Sequence, residues 1–223
     1  MDRDRSSIFP RKHTNIHRIS NPNIAEDMDA YLQNDPITPP HSFPTKQSRE
    51  PPTIFQEMSE VAQKSGIGPM SGVAGAVARR IGQEIKEKYG VREIIVENGG
   101  DIYADIQKDI DIAVFAGTSP LSEKVGFTIR ADHAPLGICT SSGTVGPSLS
   151  FGKADAVMII CKDCALADTY ATAFANEIKT TDDIAPCIEK IGKTKDILAA
   201  ICIKDDKIGI HGIFDFKLFH SKL

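Results

Sequence analysis

The stretch 91–130, VREIIVENGGDIYADIQKDIDIAVFAGTSPLSEKVGFTIR, decides the class of fold. Four runs rich in Ile and Val, at 91–97, 102–106, 110–116 and 125–130, read as strands. The first two connections, Asn98-Gly99-Gly100-Asp101 and Gln107-Lys108-Asp109, are short enough for antiparallel hairpins, whereas a parallel crossover needs a dozen residues or more. Downstream, strand signals recur at 136–140 and 154–161, followed by helices near 165–178 and 183–191. Two further strands, 197–203 and 207–213, close across Lys204-Asp205-Asp206. Upstream, Thr53 and Gln56 form a T-x-x-Q capping box opening a helix with the apolar face Ile54, Met58 and Val61, ended by Gly66. A second helix, 70–88, carries Met70, Val73, Val77, Ile81 and Ile85 as its core stripe. It is also unusually rich in small residues (Gly72, Ala74, Gly75, Ala76, Ala78, Gly82), which predicts close packing on a sheet. Helix pairs flanked by antiparallel strands occur twice, so the predicted class is α+β.

The 223 residues divide unevenly around this body. Residues 1–52 read as an N-terminal arm with Arg3, Arg5, Arg11, Lys12 and Arg18, a short helix at 24–33, and a proline-rich loop. Six prolines between Asp35 and Thr53 exclude a helix interior or central strand there. Residues 53–223 form the body, in two similar halves at about 53–131 and 132–215. A net charge of −4 argues against a surface that coats nucleic acid phosphates. The longest apolar run, 197–203, is far short of the ~20 residues that span a bilayer, and the first thirty residues lack the apolar core of a secretory signal. Five scattered cysteines (Cys139, Cys161, Cys164, Cys187, Cys202) fit a reducing, cytoplasmic setting. The ending Ser221-Lys222-Leu223 spells a peroxisomal address, a short motif that also arises by chance.

Three segments could carry chemistry. In Glu97-Asn98-Gly99-Gly100-Asp101 the glycines suit a tight turn, and two carboxylates bracketing it could hold a polar substrate or a hard cation. Residues 137–152, GICTSSGTVGPSLSFG, carry six hydroxyls and four glycines, a composition suited to binding an anion. Thr140, Ser141, Ser142, Gly143, Thr144 and Ser148 are its candidate contacts, and Cys139 is a candidate nucleophile at its mouth. Asp168 and Thr172, four apart on a helix, aim a carboxylate and a hydroxyl the same way, as Mg²⁺ or Ca²⁺ would require. Cys161-Lys162-Asp163-Cys164 has zinc or redox spacing, but no second such pair accompanies it.

Taken together, GIGPMSGVAGAVA (66–78), ENGGDI (97–102), AGTSPLS (116–122), GICTSSGTVGPSLSFGKADAV (137–157) and ADTYATA (167–173) resemble the small cytosolic branch of the ApbE-like superfamily. The resemblance implies tandem T-fold-like units, each an antiparallel sheet backed by two helices, often assembled as a homo-oligomer. The better-known relatives are FAD:protein FMN transferases. On their pattern Asp168, Thr172 and the main-chain oxygen of Ala74 would hold Mg²⁺, and Gly99-Gly100-Asp101 matches their GGD turn. Gly75 stands where the transferases have lysine, their D-P-x-T-G signature is absent, and Pro147 replaces the histidine of the branch's own G-H-S segment. The resemblance therefore implies a different activity first: forming homocysteine from aspartate semialdehyde with a sulfur donor, which a partner protein could deliver. Cys139 and Asp101 would be catalytic there, and Glu97 would hold the polar substrate. The alternatives are a Mg-dependent FMN transferase and a non-catalytic flavin- or nucleotide-binding accessory protein.

Overall fold

The computed structural model describes residues 53–144 and 152–219. The N-terminal arm, the 24–33 helix, the proline-rich loop, Pro147, Ser148 and the Ser-Lys-Leu ending lie outside them. Two helices come first, α1 (Thr53–Ser65) and α2 (Val73–Tyr89), joined through a 3-10 turn at Pro69–Gly72. Four strands follow: β1 (Ile94–Asn98), β2 (Asp101–Asp105), β3 (Ile110–Ala113) and β4 (Val125–Ile129). The second half contains β5 (Leu136–Ser141), β6 (Ala156–Cys161), α3 (Cys164–Glu177), α4 (Ile184–Gly192), β7 (Ile197–Lys204) and β8 (Lys207–Gly212). A short strand, β9 (Asp215–Leu218), ends the described chain.

One six-stranded sheet, in the order β1-β2-β5-β6-β7-β8, carries both halves, and every pairing in it is antiparallel. A second sheet, β3-β4-β9, covers one of its faces. The helices cover the other face, so the class is α+β, with three layers and two cores. Alternation along the central strands assigns their side chains. Tyr103, Cys139, Val157, Ile159 and Cys161 face the helices, and Ile102, Ala104, Ile138, Met158 and Ile160 face the second sheet. β6 is buried at all six positions because it is covered on both sides.

Two sequence expectations are corrected. The three-residue link after β2 is not a hairpin, because β2 and β3 belong to different sheets. Strand β2 instead pairs with β1 and β5, and the link carries the chain from one layer to the other. In α2 the fully buried face is the small one, Gly75, Ala76, Ala78 and Gly82, while Val73, Val77, Ile81 and Ile85 are only half-buried. The tightness of the packing explains the reversal. A Cβ on Gly72 would lie 2.8 Å from the Thr169 side chain, and one on Gly82 would meet the Tyr103 ring. The helix approaches α3 and β2 through its smallest residues because larger ones would hold it off. Strand β9 had no clear sequence signal: four residues with only Lys217 half-covered show no buried face to read.

Helix α3 is buried nearly all round, as its apolar run of Cys164, Ala165, Leu166 and Ala167 demands. Asp163 starts it: one carboxylate oxygen accepts the Leu166 N–H at 2.9 Å, and the other pairs with Arg79, whose guanidinium also reaches Glu57 on α1. One arginine of α2 thus ties α1 to the first turn of α3. Replacing Asp163 by Ala removes both cap and bridge and is expected to cost about 2 kcal/mol, a fall of roughly 4–8 °C in a thermal melt. Asp163→Asn keeps the cap and should recover about half.

Candidate functional site

The site lies where the helix-facing side of β2 and β5 meets the start of α2. Asn98 and Asp101 form the pair that closes the β1–β2 hairpin, with Gly99 and Gly100 between them at φ 67° and 109°. Side chains other than glycine avoid that backbone region, so the turn needs both glycines. Asp101 in turn stands opposite Cys139 on β5. Cross-strand partners share a face, so Asn98, Asp101 and Cys139 look towards the helices together, and Ser141 follows two residues after Cys139.

From the other side α3 presents Asp168 and, one turn on, Thr172. Asp168 accepts the Gly75 N–H at 2.9 Å and also a hydrogen bond from the Ala74 N–H. These are amides of the first turn of α2, whose own flanking residue, Gly72, has no side chain to cap it. A carboxylate from another helix therefore does the capping, where the helix dipole also favours negative charge. Thr172 Oγ1 donates to Ser141 Oγ at 3.4 Å, which links α3 to the end of β5.

Electrostatics mark this as a costly arrangement. Asp101 is 8% exposed and Asp168 is 7% exposed. Burial pushes the Asp101 carboxyl up to about 7; hydrogen bonds from the Cys139 thiol and the Thr140 amide oppose the shift, and the Glu97 charge adds to it. Burial and the Asp101 charge likewise hold Asp168 well above the carboxylate range, against the pull of the two amides. Neither carboxylate pairs with a Lys, Arg or His among the described residues.

Cys139 is fully buried, and its Sγ lies 3.3 Å from the Cys164 carbonyl oxygen and 3.8 Å from the Cys164 sulfur. Burial raises its thiol well above the ordinary value, so in this arrangement it is a protonated S–H donor. Cys164, the second cysteine of the C-x-x-C spacing, thus forms part of the site's floor. Its place here was missed from sequence; the signal that could have found it is Asp163 as a helix cap, which puts Cys164 at the start of a buried helix. Among the described residues no three His, Cys, Asp or Glu side chains are grouped so as to hold a metal.

The other sequence candidates separate from this cluster. Glu97 pairs with Ile102 and so sits on the opposite face from Asp101, exposed and acting on Asp101 only through its charge. Thr140 alternates away from the helices, and it is its main chain that reaches Asp101. Ser142, Gly143 and Thr144 turn towards Ala154 and Asp155. Gly143 N–H donates to Ala154 O at 2.9 Å, and Thr144 Oγ1 to Asp155 at 3.3 Å. Asp155 also accepts the Asp205 N–H and lies 3.7 Å from Lys204. It borders a cavity of about 290 Å³ with Thr118, Ser119, Pro120, Asp205 and Asp206.

A family model described as AbpE bacteria matches residues 11–191. The chain belongs to that family, within the ApbE-like superfamily. The family's match extends past the described residues into the segment before Thr53. Among similar proteins, the UPF0280 protein of Methanocaldococcus jannaschii is 36% identical over 191 residues, 83% of this chain and 77% of that protein. The UPF0280 protein of Methanosphaerula palustris is 39% identical over 162 residues, 69% of this chain but only 64% of its own length. The apo flavinyl transferase ApbE of Pseudomonas stutzeri superposes with a TM-score of 0.42 at 19% identity, over 65% of this chain and 47% of that one. No helix among the described residues is long and apolar enough to cross a membrane.

Proposed function

We propose that this ApbE-like protein binds a flavin dinucleotide through a divalent cation and cleaves it, passing FMN to an acceptor hydroxyl and releasing AMP. The observation that carries the reading is the facing pair Asp101 and Asp168, two buried carboxylates from different elements with no basic side chain between them among the described residues. Membership of the superfamily and the match of Gly99-Gly100-Asp101, Asp168 and Thr172 to the transferase pattern support it.

The donor set suits a hard cation such as Mg²⁺, which takes oxygen ligands: the Asp168 carboxylate and Thr172 hydroxyl, with Asp101 facing them. Ala74 fits less simply, because its carbonyl already accepts the Asn98 side-chain N–H at 3.2 Å. When bound, the cation would supply positive charge to the phosphates. The chain's own groups do the rest. Asp101, facing these donors, can take the proton of the acceptor hydroxyl, and Thr140 N–H with Cys139 S–H keeps its carboxylate in place. The P–O bond of the pyrophosphate breaks, the acceptor oxygen forms the new one, and AMP leaves with the electron pair. Ser141 bridges Thr172 to β5 and so fixes one wall.

The sulfur-transfer reading needs Cys139 as a thiolate, whereas its burial and its S–H contacts favour a positioning role. The organisation in two T-fold-like halves belongs to the same proposal: each half supplies a consecutive helix pair, α1/α2 and α3/α4, to one face of the shared sheet. In assays with FAD and Mg²⁺, water or a hydroxyl-bearing protein serving as acceptor, AMP release should be Mg²⁺-dependent. Asp168→Asn and Thr172→Val should each lower it at least 100-fold. A folded wild-type protein that releases no AMP with either acceptor overturns the proposal.

A further inference from the structure

We propose that two copies of this chain pair through β9, its free edge lying antiparallel against the same edge of the second copy with a two-fold axis at Phe216. Four large apolar side chains, Ile210, Ile213, Phe216 and Leu218, are exposed within the one stretch 210–218, more than half of those exposed among the described residues. Phe216 pairs with Phe127 and Leu218 with Val125, and both partners are buried between the sheets. Cross-strand partners share a face, so Phe216 and Leu218 point into the inter-sheet core and yet stay 40% and 63% exposed. The core is open on this side because, among the described residues, β9 ends its sheet and β8 ends the other. Only Ile213 and Phe214 connect these two strands, and Ile208 and Ile210 of β8 pair with Ile203 and Ile201, which face the second sheet. An edge strand beside uncovered apolar side chains is a template for another strand.

The backbone and the charges of β9 select that strand as its own copy. Phe219 N–H donates to Lys124 O at 2.8 Å. In an antiparallel ladder alternate residues bond the same neighbour, so Asp215 and Lys217 turn their main-chain groups to β4, while Phe216 and Leu218 turn theirs to the free edge. A two-fold axis at Phe216 lets that residue exchange both N–H···O bonds with its symmetry mate, and brings the two rings together on the inner face. The same register sets Asp215 opposite Lys217 of the second copy, twice, on the outer face. Lys217, paired with Asp111 in its own chain, would then lie between two carboxylates. Moving the axis by one residue, to Asp215 or Lys217, would set like charges face to face, so charge selects the Phe216 register. An isologous contact of this kind closes at two copies.

Sedimentation velocity of the full chain, over about a hundredfold range of concentration, should show a monomer–dimer equilibrium. Asp215→Lys sets lysine against lysine at both pairs and should weaken dimerisation about tenfold or more. Combining Asp215→Lys with Lys217→Asp restores opposite charges across the axis and should bring the dissociation constant back to within about threefold of wild type. Phe216→Pro removes an N–H that faces away from β4, so β9 keeps its own ladder while the dimer is lost. Thermal melts within a few degrees of wild type identify the variants that are folded and can be compared. A wild-type chain that stays monomeric throughout, as it would if its own segment before Thr53 filled this edge, overturns the proposal. So does a dimer that Asp215→Lys and Phe216→Pro leave unchanged, or one that the combined charge exchange fails to restore.

Discussion

Asp101→Asn is expected to yield a more stable protein at pH 8 and, on the proposed function, one that releases no AMP from FAD. Asp101 keeps its proton up to about pH 7 in the folded chain, against an ordinary value of 3.8. Between those values the native state binds more protons than the unfolded one, so stability falls as pH rises through the window. Above it, the folded protein holds a buried, charged Asp101 facing Asp168. Asparagine keeps an acceptor for the Thr140 N–H and Cys139 S–H, turns an N–H towards Asp168, and removes the mutual repulsion. The gain should be on the order of 2 kcal/mol at pH 8, or roughly 4–8 °C in melting temperature, shrinking to nothing near pH 4. Melts of the two proteins across pH 4–8 check this. Equal slopes through the window would show that Asp101 does not titrate as its surroundings dictate.

Mg²⁺ supplies the companion observation. A cation between the carboxylates offsets the same repulsion, so it should raise the wild-type melting temperature more at pH 8 than at pH 4.5. On Asp101→Asn its effect should be smaller. Buried carboxylates held together at a cost to stability are a recurrent feature of functional sites.

How far the sequence reveals this site depends on the kind of interaction. Strand alternation and the Asn98–Asp101 hairpin were legible, because the periods of β1, β2 and β5 are local. So was the placement of Asp168 and Thr172 one turn apart on a helix, since spacing on one helix is local too. The second sheet was not legible: a three-residue link after β2 looks the same whether the chain folds back or changes layer, and only Ile102 and Ala104 being covered by that sheet decides it. The close packing of the small residues of α2 was legible, but not that they form its fully buried face in place of the apolar stripe, for a related reason. Hydrophobic periodicity points to Val73, Val77 and Ile81, but contact distance is set by the neighbour, and α3 comes close enough to exclude any side chain. Cys139 looked reactive because it opens a hydroxyl-rich loop. Its thiol is covered by Cys164, 25 residues away, a contact with no trace in local sequence. The hydroxyls of Ser142 and Thr144 turn aside for a similar reason, drawn to Ala154 and to Asp155.

The second large effect is expected at Gly75, where the transferase pattern would place lysine. Gly75→Lys should unfold the chain or leave it aggregated, whatever chemistry the lysine would bring, and even Gly75→Ala should cost about 3 kcal/mol or more. A Cβ there would collide with the Cys164 carbonyl oxygen and lie 2.9 Å from Asp168 Cβ. Neither obstacle is the far end of a flexible side chain: one is backbone at the start of α3, the other the root of the capping carboxylate. Helix α3 cannot retreat, because Gly137 on β5 packs against the same residue from the sheet side, its own Cβ position lying 2.8 Å from Cys164 N. α3 is held between two glycines, so a methyl group on either must shift a helix packed against α2, α1 and the sheet. The shift would also move Asp168 off the Gly75 N–H, so Gly75→Ala should lose cation affinity along with stability. Urea denaturation gives the first quantity and Mn²⁺ titration of the folded fraction the second. Near-wild-type stability in Gly75→Ala would mean that α2 and α3 separate readily, and that the close contact is not what selects glycine. Met70, half-buried and packed against the same core but outside this contact, is the control: Met70→Leu should change both by less than about 1.5 kcal/mol.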